Sequence, residues 1–413
     1  MNIVLTIWLL CWSTILFTYI FFPLVLALCV HARRIFASPA INSETINSEI
    51  KASQSIVVEE NLQAKSEEWP HISMVIAAYN EAAVLAKKLE NIRLLDYPSD
   101  RLTIHIGSDG SDDGTAELLQ NMSDPRLHVH LFTERRGKIS VLNDLVRDVE
   151  EEIIVFSDAN TMYAPDALQR MMPHFADPRV GCVSGELRLE KAGGVSGEGL
   201  YWRYECWIKR QESKLGFLIG CNGGIFAIRK ALYSTLPSWT IVEDFVITMR
   251  VLRQGSIVRY VPEAHASEPP CATSRAEMVR KIRIGAGNFQ ALLMTRDMLH
   301  PRYGLQAFAY LGHKVLRWLV PIFFLIAFAA NIALAASLPF MILLICEAAG
   351  GCIAVWAYNL TPGTESPRWT RPISYFYLMN YALFCGLVRI LLGKQKVTWE
   401  RPALQLPVQE AGI

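Results

Sequence analysis

The sequence predicts an α/β fold: a mostly parallel sheet with helices on both faces, flanked by transmembrane and interfacial helices. Three observations carry this expectation. Strand-like and helix-like runs alternate from residue 71 onward, long apolar regions bracket them, and 52% hydrophobic residues over 413 positions exceed what one soluble core needs.

Residues 2–30 carry no formal charge, and His31, Arg33 and Arg34 come immediately after. A bilayer core takes about 20 apolar residues as helix, so this run spans. A cleaved signal peptide would have a basic start and a shorter apolar run. Basic residues after the span place the chain beyond it in the cytoplasm. Residues 31–70 read as a polar linker, with a near repeat of INSE at 41–44 and 46–49.

Beyond Pro70 the texture changes. ISMVIAAYN reads as a buried strand, EAAVLAKKLENIRLL as a helix, and RLTIHIGSDG as a second strand ending in turn residues. A helix from Thr115, a strand at LHVHLF, a helix after Gly137 and a strand at EEIIVFSDA continue the alternation. Such βαβ texture implies parallel strands. After Asn160 the pattern loosens into glycine-rich turns at 191–199 and 220–224, with a helix from Glu243 to Arg253, the expected acceptor side of a cleft.

The basic helical segment SRAEMVRKIRIGAGNFQALL precedes AYLGHKVLRWLVPIF, which enters the membrane, with His313 and Trp318 beside Lys314 and Arg317 expected as interfacial anchors. Residues 315–358 suit two helices broken near 337–339, and 374–392 suit a third. If all crossed, Lys394, Lys396 and Arg401 would end outside, against the positive-inside rule, so one segment, the last in preference, is expected to be interfacial or re-entrant. The chain thus divides into a membrane helix (1–30), linker (31–70), cytoplasmic domain (71–295), interfacial segment (296–315), membrane helices (316–393) and tail (394–413).

A net charge of +1 without a basic tract in the middle of the chain argues against nucleic acid as a partner. The nine cysteines form no C-x-x-C pair; Cys11, Cys29, Cys346 and Cys385 lie in apolar segments and read as buried small hydrophobes.

Ligands of open α/β sheets bind at the carboxyl ends of strands, so polar residues ending strands are the ones to weigh. Residues 77–81, AAYNE, and 107–115, GSDGSDDGT, end two of them; Asp109 suits hydrogen bonds from a nucleobase or ribose, against the plainer reading of ordinary turns. Asp158 and Asn160 offer a carboxylate and an amide to Mg2+ or Mn2+ shared with substrate phosphates, with helix capping as the rival. Glu243 and Asp244 open a helix, where the dipole alone favours acids; beside a nucleotide and metal site, Asp244 suits a general base on an acceptor hydroxyl. Lys138 and the pair Arg280 and Arg283, three apart on one helical face, supply cations for a leaving diphosphate. Anionic lipid is the rival partner of that pair. His265 is weighed as an extra metal ligand and read as structural.

The ordered set AAYNE, SDGSDDGT, GKxxxLN, SDAN, a Gly-Asn-Gly turn followed by AIRK, VEDF and RKIR resembles the membrane-bound family-2 glycosyltransferases, relatives of cellulose, chitin and hyaluronan synthases. The resemblance covers roughly residues 72–293 and implies a GT-A fold and inverting sugar transfer from a nucleotide-sugar donor, of UDP type, to a glycan or lipid acceptor at a bacterial inner membrane. It implies that Asp109 contacts uridine, Asp158 the diphosphate's metal, and that Asp244, of the Glu243–Asp244 pair, is the base. Tyr79 and Glu81 match the first nucleotide-contacting turn, Lys138 the phosphate-proximal lysine, and Asn222 the turn where relatives approach the acceptor.

Two departures stand out. Asn160 occupies a position usually held by Asp, leaving one charge fewer for a metal, and 280–284 reads RKIRI where processive members have Gln-x-x-Arg-Trp. The main expectation is a polysaccharide acceptor. A single-addition enzyme acting on lipid and a non-catalytic nucleotide-sensing membrane subunit are the alternatives, and a homo-oligomer or export partner would complete a path for polymer.

Overall fold

The computed structural model describes residues 3–37, 69–189, 197–271, 273–360 and 366–395. The INSE repeat, most of the linker, the turn at 191–196 and the tail from 396 lie outside the described residues.

Helices α1 (Ile3–Leu16) and α2 (Phe22–Ala37) run through a π turn at Phe17–Phe21, so the first helix extends past residue 30. The alternating segment then forms β1 (Ile72–Ala78), α3 (Ala82–Arg93), β2 (Leu102–Asp109), α4 (Thr115–Gln120), β3 (Leu127–Phe132), α5 (Lys138–Asp148) and β4 (Ile153–Phe156). All seven residues of β1 are buried, the continuous apolar run that a parallel strand covered on both faces requires. Next in the chain come β5 (Met162–Tyr163), α6 (Ala167–Met171), β6 (Val180–Leu189), α7 (Gly197–Lys214), β7 (Phe226–Arg229), α8 (Glu243–Arg253), β8 (Ile257–Glu268) and α9 (Ser274–Thr295).

Among the described residues the strands form one eight-stranded sheet of order β3-β2-β1-β4-β7-β6-β8-β5. From β3 to β4 it is parallel, in register Ile72 with Leu102 and Ile153. The expected mostly parallel sheet is observed in mixed form: β6 and β8 also pair parallel, whereas β7 is antiparallel to both β4 and β6, and β5 to β8. The sheet is mixed because regular βαβ crossovers, which force parallel neighbours, stop after β4.

Period-2 alternation sorts β1 between two cores. Ile72, Met74 and Ile76 pack with Leu85, Leu89 and Ile92 of α3. Val75 and Ala77 belong to the opposite core, which holds Val141 and Leu145 of α5 and continues to Phe22 and Leu26 of α2. The sheet and the N-terminal apolar helices therefore share one hydrophobic core.

After α10 (Leu305–Ala309) and a π turn at Tyr310–Val315 come α11 (Leu316–Leu334), α12 (Leu338–Tyr358) and α13 (Thr370–Leu391). Among the described residues, four helices are long and apolar enough to cross a bilayer: Ile3–Ile35, Leu305–Leu334, Leu338–Tyr358 and Thr370–Leu391. His313 and Trp318 are not headgroup anchors. His313 is fully buried between Glu212 (2.6 Å) and Glu205 (3.0 Å), and Glu205 also pairs with Lys314 and Arg317 at 2.7 Å each. Trp318 packs on Phe245 with ring centroids 5.4 Å apart. Two buried acids on α7 draw these cations inward, because a buried carboxylate needs a partner. Cys346 is also not buried; it lies on an exposed face of α12.

The helix α13 lies along α9. Their closest approach needs glycine: a Cβ on Gly386 would sit 2.5 Å from the Ala286 nitrogen, and one on Gly285 would sit 3.1 Å from the Ala382 carbonyl oxygen. Gly386→Val should therefore cost about 1–3 kcal/mol by overpacking, read as a lower melting temperature in detergent. An unchanged melting temperature would show that α13 is not docked on α9.

Candidate active site

The two turns that end β1 and β2 are built as one unit. Asn80, at φ 54°, donates through Nδ2 to Asp112 (2.7 Å) and accepts from the Asp112 amide (3.0 Å). The amide of Glu81 donates to Thr115 Oγ1 (2.9 Å), and that of Ala82 to Asp113 (3.1 Å). An asparagine tolerates the left-handed region because its short amide bonds locally. The ring of Tyr79 lies under the Arg135 guanidinium, 3.7 Å from the ring centroid, and Glu81 is buried behind it.

Asp109 is turned inward. Its carboxylate is fully buried and accepts the amides of Arg136 (2.7 Å) and Gly137 (2.8 Å). Gly110 lets the 134–137 loop approach: its φ is +64°, and a Cβ there would meet the Arg135 nitrogen at 2.7 Å. The sequence placed Asp109 at a strand end; the fold uses it to hold that loop against Tyr79.

Asp158 comes after β4, and a tight turn closes with the Thr161 amide on the Asp158 carbonyl (3.2 Å). The next helix starts only at Ala167, with Asp166 at its N-cap, so Asp158 and Asn160 are not helix caps. Instead Lys138, the first residue of α5, places Nζ 2.6 Å from Asp158 Oδ1 and also on Glu243 Oε1. Burial alone would raise the Asp158 pKa; Lys138, with Lys88 and Arg283 behind it, reverses this and holds it below the usual range.

Next to Glu243 in the first turn of α8, Asp244 faces Gly223, where an added Cβ would lie 3.2 Å from Asp244 Oδ2. Burial and the neighbouring Glu243 push its carboxyl up to about 6, against the opposing pull of Lys138 and Lys209. Arg283 of α9 makes no ion pair among the described residues, yet its charge is felt by Asp158, Glu243 and Asp244. Arg280 differs: its guanidinium forks onto Glu277 with two bonds of 2.9 Å, so the expected pair of phosphate ligands splits into one arginine facing the acids and one braced within its own helix.

Asn222 is 7% exposed, and its amide accepts from Lys209 Nζ (2.6 Å) and donates to the Gly185 carbonyl. It shapes the 221–224 turn from within, with little of its surface exposed. His265 lies in β8 with Nδ1 at the Glu263 carbonyl, 3.1 Å away, as a strand residue.

Sequence reasoning missed three groups around this site: the buried Lys88 and Lys209 and the half-buried Glu268. Glu268, ending β8, accepts from Thr161 Oγ1, and burial and Asp158 push its pKa up. Burial pushes Lys88 down to about 7, against Asp158 and Glu268. A signal for Lys88 existed: it falls on the apolar stripe of α3, with Val84, Leu85, Leu89 and Ile92.

For a divalent cation, Asp158, Asn160 and Glu268 offer only hard oxygens, the donors Mg2+ and Mn2+ prefer. Among the described residues no three His, Cys, Asp or Glu groups converge as ligands. The residues therefore fit an ion that completes its shell with substrate phosphates and water, not one caged by protein.

Residues 73–236 match Glycosyl transferase family 2. The poly-beta-1,6-N-acetyl-D-glucosamine synthase of Staphylococcus aureus is 26% identical over 235 residues, 55% of this chain and 57% of that protein. The beta-monoglucosyldiacylglycerol synthase of Synechocystis is 26% identical over 238 residues, 54% of this chain and 49% of that protein. The chain thus spans about half the length of the curated relatives it matches. A mannosyltransferase from Pyrobaculum calidifontis, solved with GDP-Man and Mn2+, superposes with a TM-score of 0.64 at 24% identity, over 85% of this chain and 98% of that one. Its likeness supports the fold. Residues 73–236 of this chain are a glycosyl transferase family 2 domain, set in a GT-A-like mixed sheet and joined to helices apolar enough to cross a membrane.

Proposed function

We propose that the chain transfers a hexose, with inversion, from a UDP-type nucleotide sugar to a growing polysaccharide on the cytoplasmic face of a bacterial inner membrane. One observation carries the reading: at the carboxyl ends of the parallel strands, Lys138 joins Asp158 to Glu243, with Asp244 beside them.

The diphosphate would lie against Lys138 and the N-terminus of α5, where cation and helix dipole both favour anions. Arg283 adds positive charge from the other side. Tyr79 and the turn braced by Glu81 and Asp109 would receive the base. A divalent cation held by Asp158 and Asn160, with Glu268 near, would supply charge neutralisation on the phosphates. Asp244 accepts the proton of an acceptor hydroxyl as that oxygen attacks the anomeric carbon from the face opposite the leaving group. The bond from carbon to phosphate oxygen breaks, and the nucleoside diphosphate leaves with the electron pair. Attack from the opposite face inverts the centre.

For the membrane part, the basic residues after the first span favour a cytoplasmic domain. Docking of α13 on α9, which bears Arg280, Lys281 and Arg283, supports an interfacial α13. Three crossings then remain, the basic tail stays inside, and a second copy or another membrane protein would complete an export path.

A thermal-shift series with UDP- and GDP-sugars and Mn2+ or Mg2+ tests the donor. At a hundredfold excess over Kd, mass action adds about 2.7 kcal/mol of stability, so UDP-sugars should raise the melting temperature and GDP-sugars should not. Stabilisation by GDP-sugars alone would overturn the donor assignment. The named relatives include a polysaccharide synthase and a glycolipid synthase, so a lipid acceptor is the second reading. Labelled donor settles the choice by product length: one sugar per acceptor would reject polymerisation.

A further inference from the structure

We propose that Lys88 is a positioning residue for the 157–161 turn, holding Asp158 and Asn160 in the arrangement that receives the donor's diphosphate and its cation. This rests on the function proposed above.

Lys88 is fully buried. Its Nζ donates to Ser157 Oγ at 2.8 Å and to the Thr161 carbonyl, and lies over the Tyr163 ring, 4.7 Å from the centroid. One helical turn further on, Asn91 donates to the Tyr163 carbonyl and accepts from the Tyr163 amide, both at 2.8 Å. On the far side, Thr161 Oγ1 donates to Glu268. Helix α3 therefore grips both ends of the segment that carries Asp158, and the grip continues through Thr161 to β8. Because Lys88 touches the turn and not the space above it, it acts through Asp158 and Asn160.

Burying this ammonium costs stability that packing does not return. Lys88 makes no ion pair within 4 Å among the described residues, so its ammonium is taken out of water with only neutral oxygens as direct partners. Such a group is destabilising beside an apolar side chain of similar length. Methionine would fill the same stripe among Val84, Leu85, Leu89 and Ile92. Packing does not explain a lysine there; two things do. The ammonium ties together two oxygens of the turn that a methyl group could not bind, and in its protonated form it adds positive charge beneath the place where a diphosphate would sit.

The test uses the full chain in detergent and reads binding, not turnover. The concentration of Mn2+ giving half of the UDP-dependent thermal stabilisation is measured for the parent and for Lys88→Met. Loss of a group that orients a metal ligand weakens metal affinity by about 10- to 100-fold, so the midpoint should rise at least about tenfold. The melting temperature without ligand should stay level or rise. A midpoint within about twofold of the parent overturns the proposal, since the same groups would then be indifferent to the turn. So does a lower ligand-free melting temperature with an unmoved midpoint, the result expected of a merely structural lysine. Should Lys88→Met not fold, Ser157→Ala removes one of the two oxygens without adding volume, and should raise the midpoint about threefold, near one hydrogen bond's worth; no rise overturns the proposal. A parent that UDP and Mn2+ fail to stabilise sinks the proposed function and this inference together, whereas a responsive parent beside an equally responsive Lys88→Met sinks only the inference.

Discussion

Asp244→Asn should lower kcat by about 100- to 10,000-fold, the usual worth of a general base, while UDP still binds. The carboxyl lies beside Gly223, whose missing side chain leaves the approach open, and burial with Glu243 beside it raises its pKa to about 6. A base acts when deprotonated, so kcat/KM in the parent should fall as pH drops below about 6, and that limb should vanish in the variant. The sign for stability runs the other way. A carboxyl whose pKa is higher folded than unfolded favours the folded state at low pH, and this contribution is lost as pH rises through the folded value. At pH 7 the variant should thus melt no lower than the parent. Unchanged glycan production by Asp244→Asn would instead favour the non-catalytic, nucleotide-sensing alternative.

Lys138→Met should lower kcat/KM by about 100- to 1,000-fold, as expected when a preorganised charge at a leaving group is removed, and should weaken UDP binding as well. Among the described residues, Lys138 is the group that touches both Asp158 and Glu243. Without it these acids face each other and Asp244 with only Arg283 and the buried lysines nearby, so their charges would repel a diphosphate. Asp158 is held ionised chiefly by Lys138, so its pKa should rise and the pH range for cation binding should move upward. Isothermal titration with UDP and Mn2+ across pH 5 to 8 would show both effects. Equal UDP affinity in parent and variant would remove Lys138 from the donor site.

Local patterns made much of the fold legible. Continuous apolar runs marked β1, β2 and β4, helical periodicity marked α3, α5 and α8, turn residues after strands marked Asp109 and Asp158, and a helix start marked the Glu243–Asp244 pair. Those signals are written within a few residues, and strand ends in an open sheet collect ligands whatever their partners are. Sequence alone left open whether Asp158 capped a helix. The structure decides that by starting α6 only at Ala167, with Asp166 in the capping place.

What only the tertiary structure decided are the pairings between distant segments. That β7 runs antiparallel, that Asp109 faces inward onto the Arg136 and Gly137 amides, and that Asn222 is held by Lys209 all depend on how far-apart elements meet. His313 and Arg317 looked like headgroup residues because they adjoin an apolar run, yet Glu205 and Glu212 on α7 claim them. The sequence by itself determined the first four strands, the long apolar helices and the acids at strand ends and at the start of α8, because each is set by periodicity or length within one segment. Which charges neutralise one another, and therefore which of those acids stay ionised beside Lys138 and which, like Asp244, are raised toward neutral pH, was decided only when register and packing brought the segments within a few ångströms, since Coulomb and desolvation terms act through space and not along the chain.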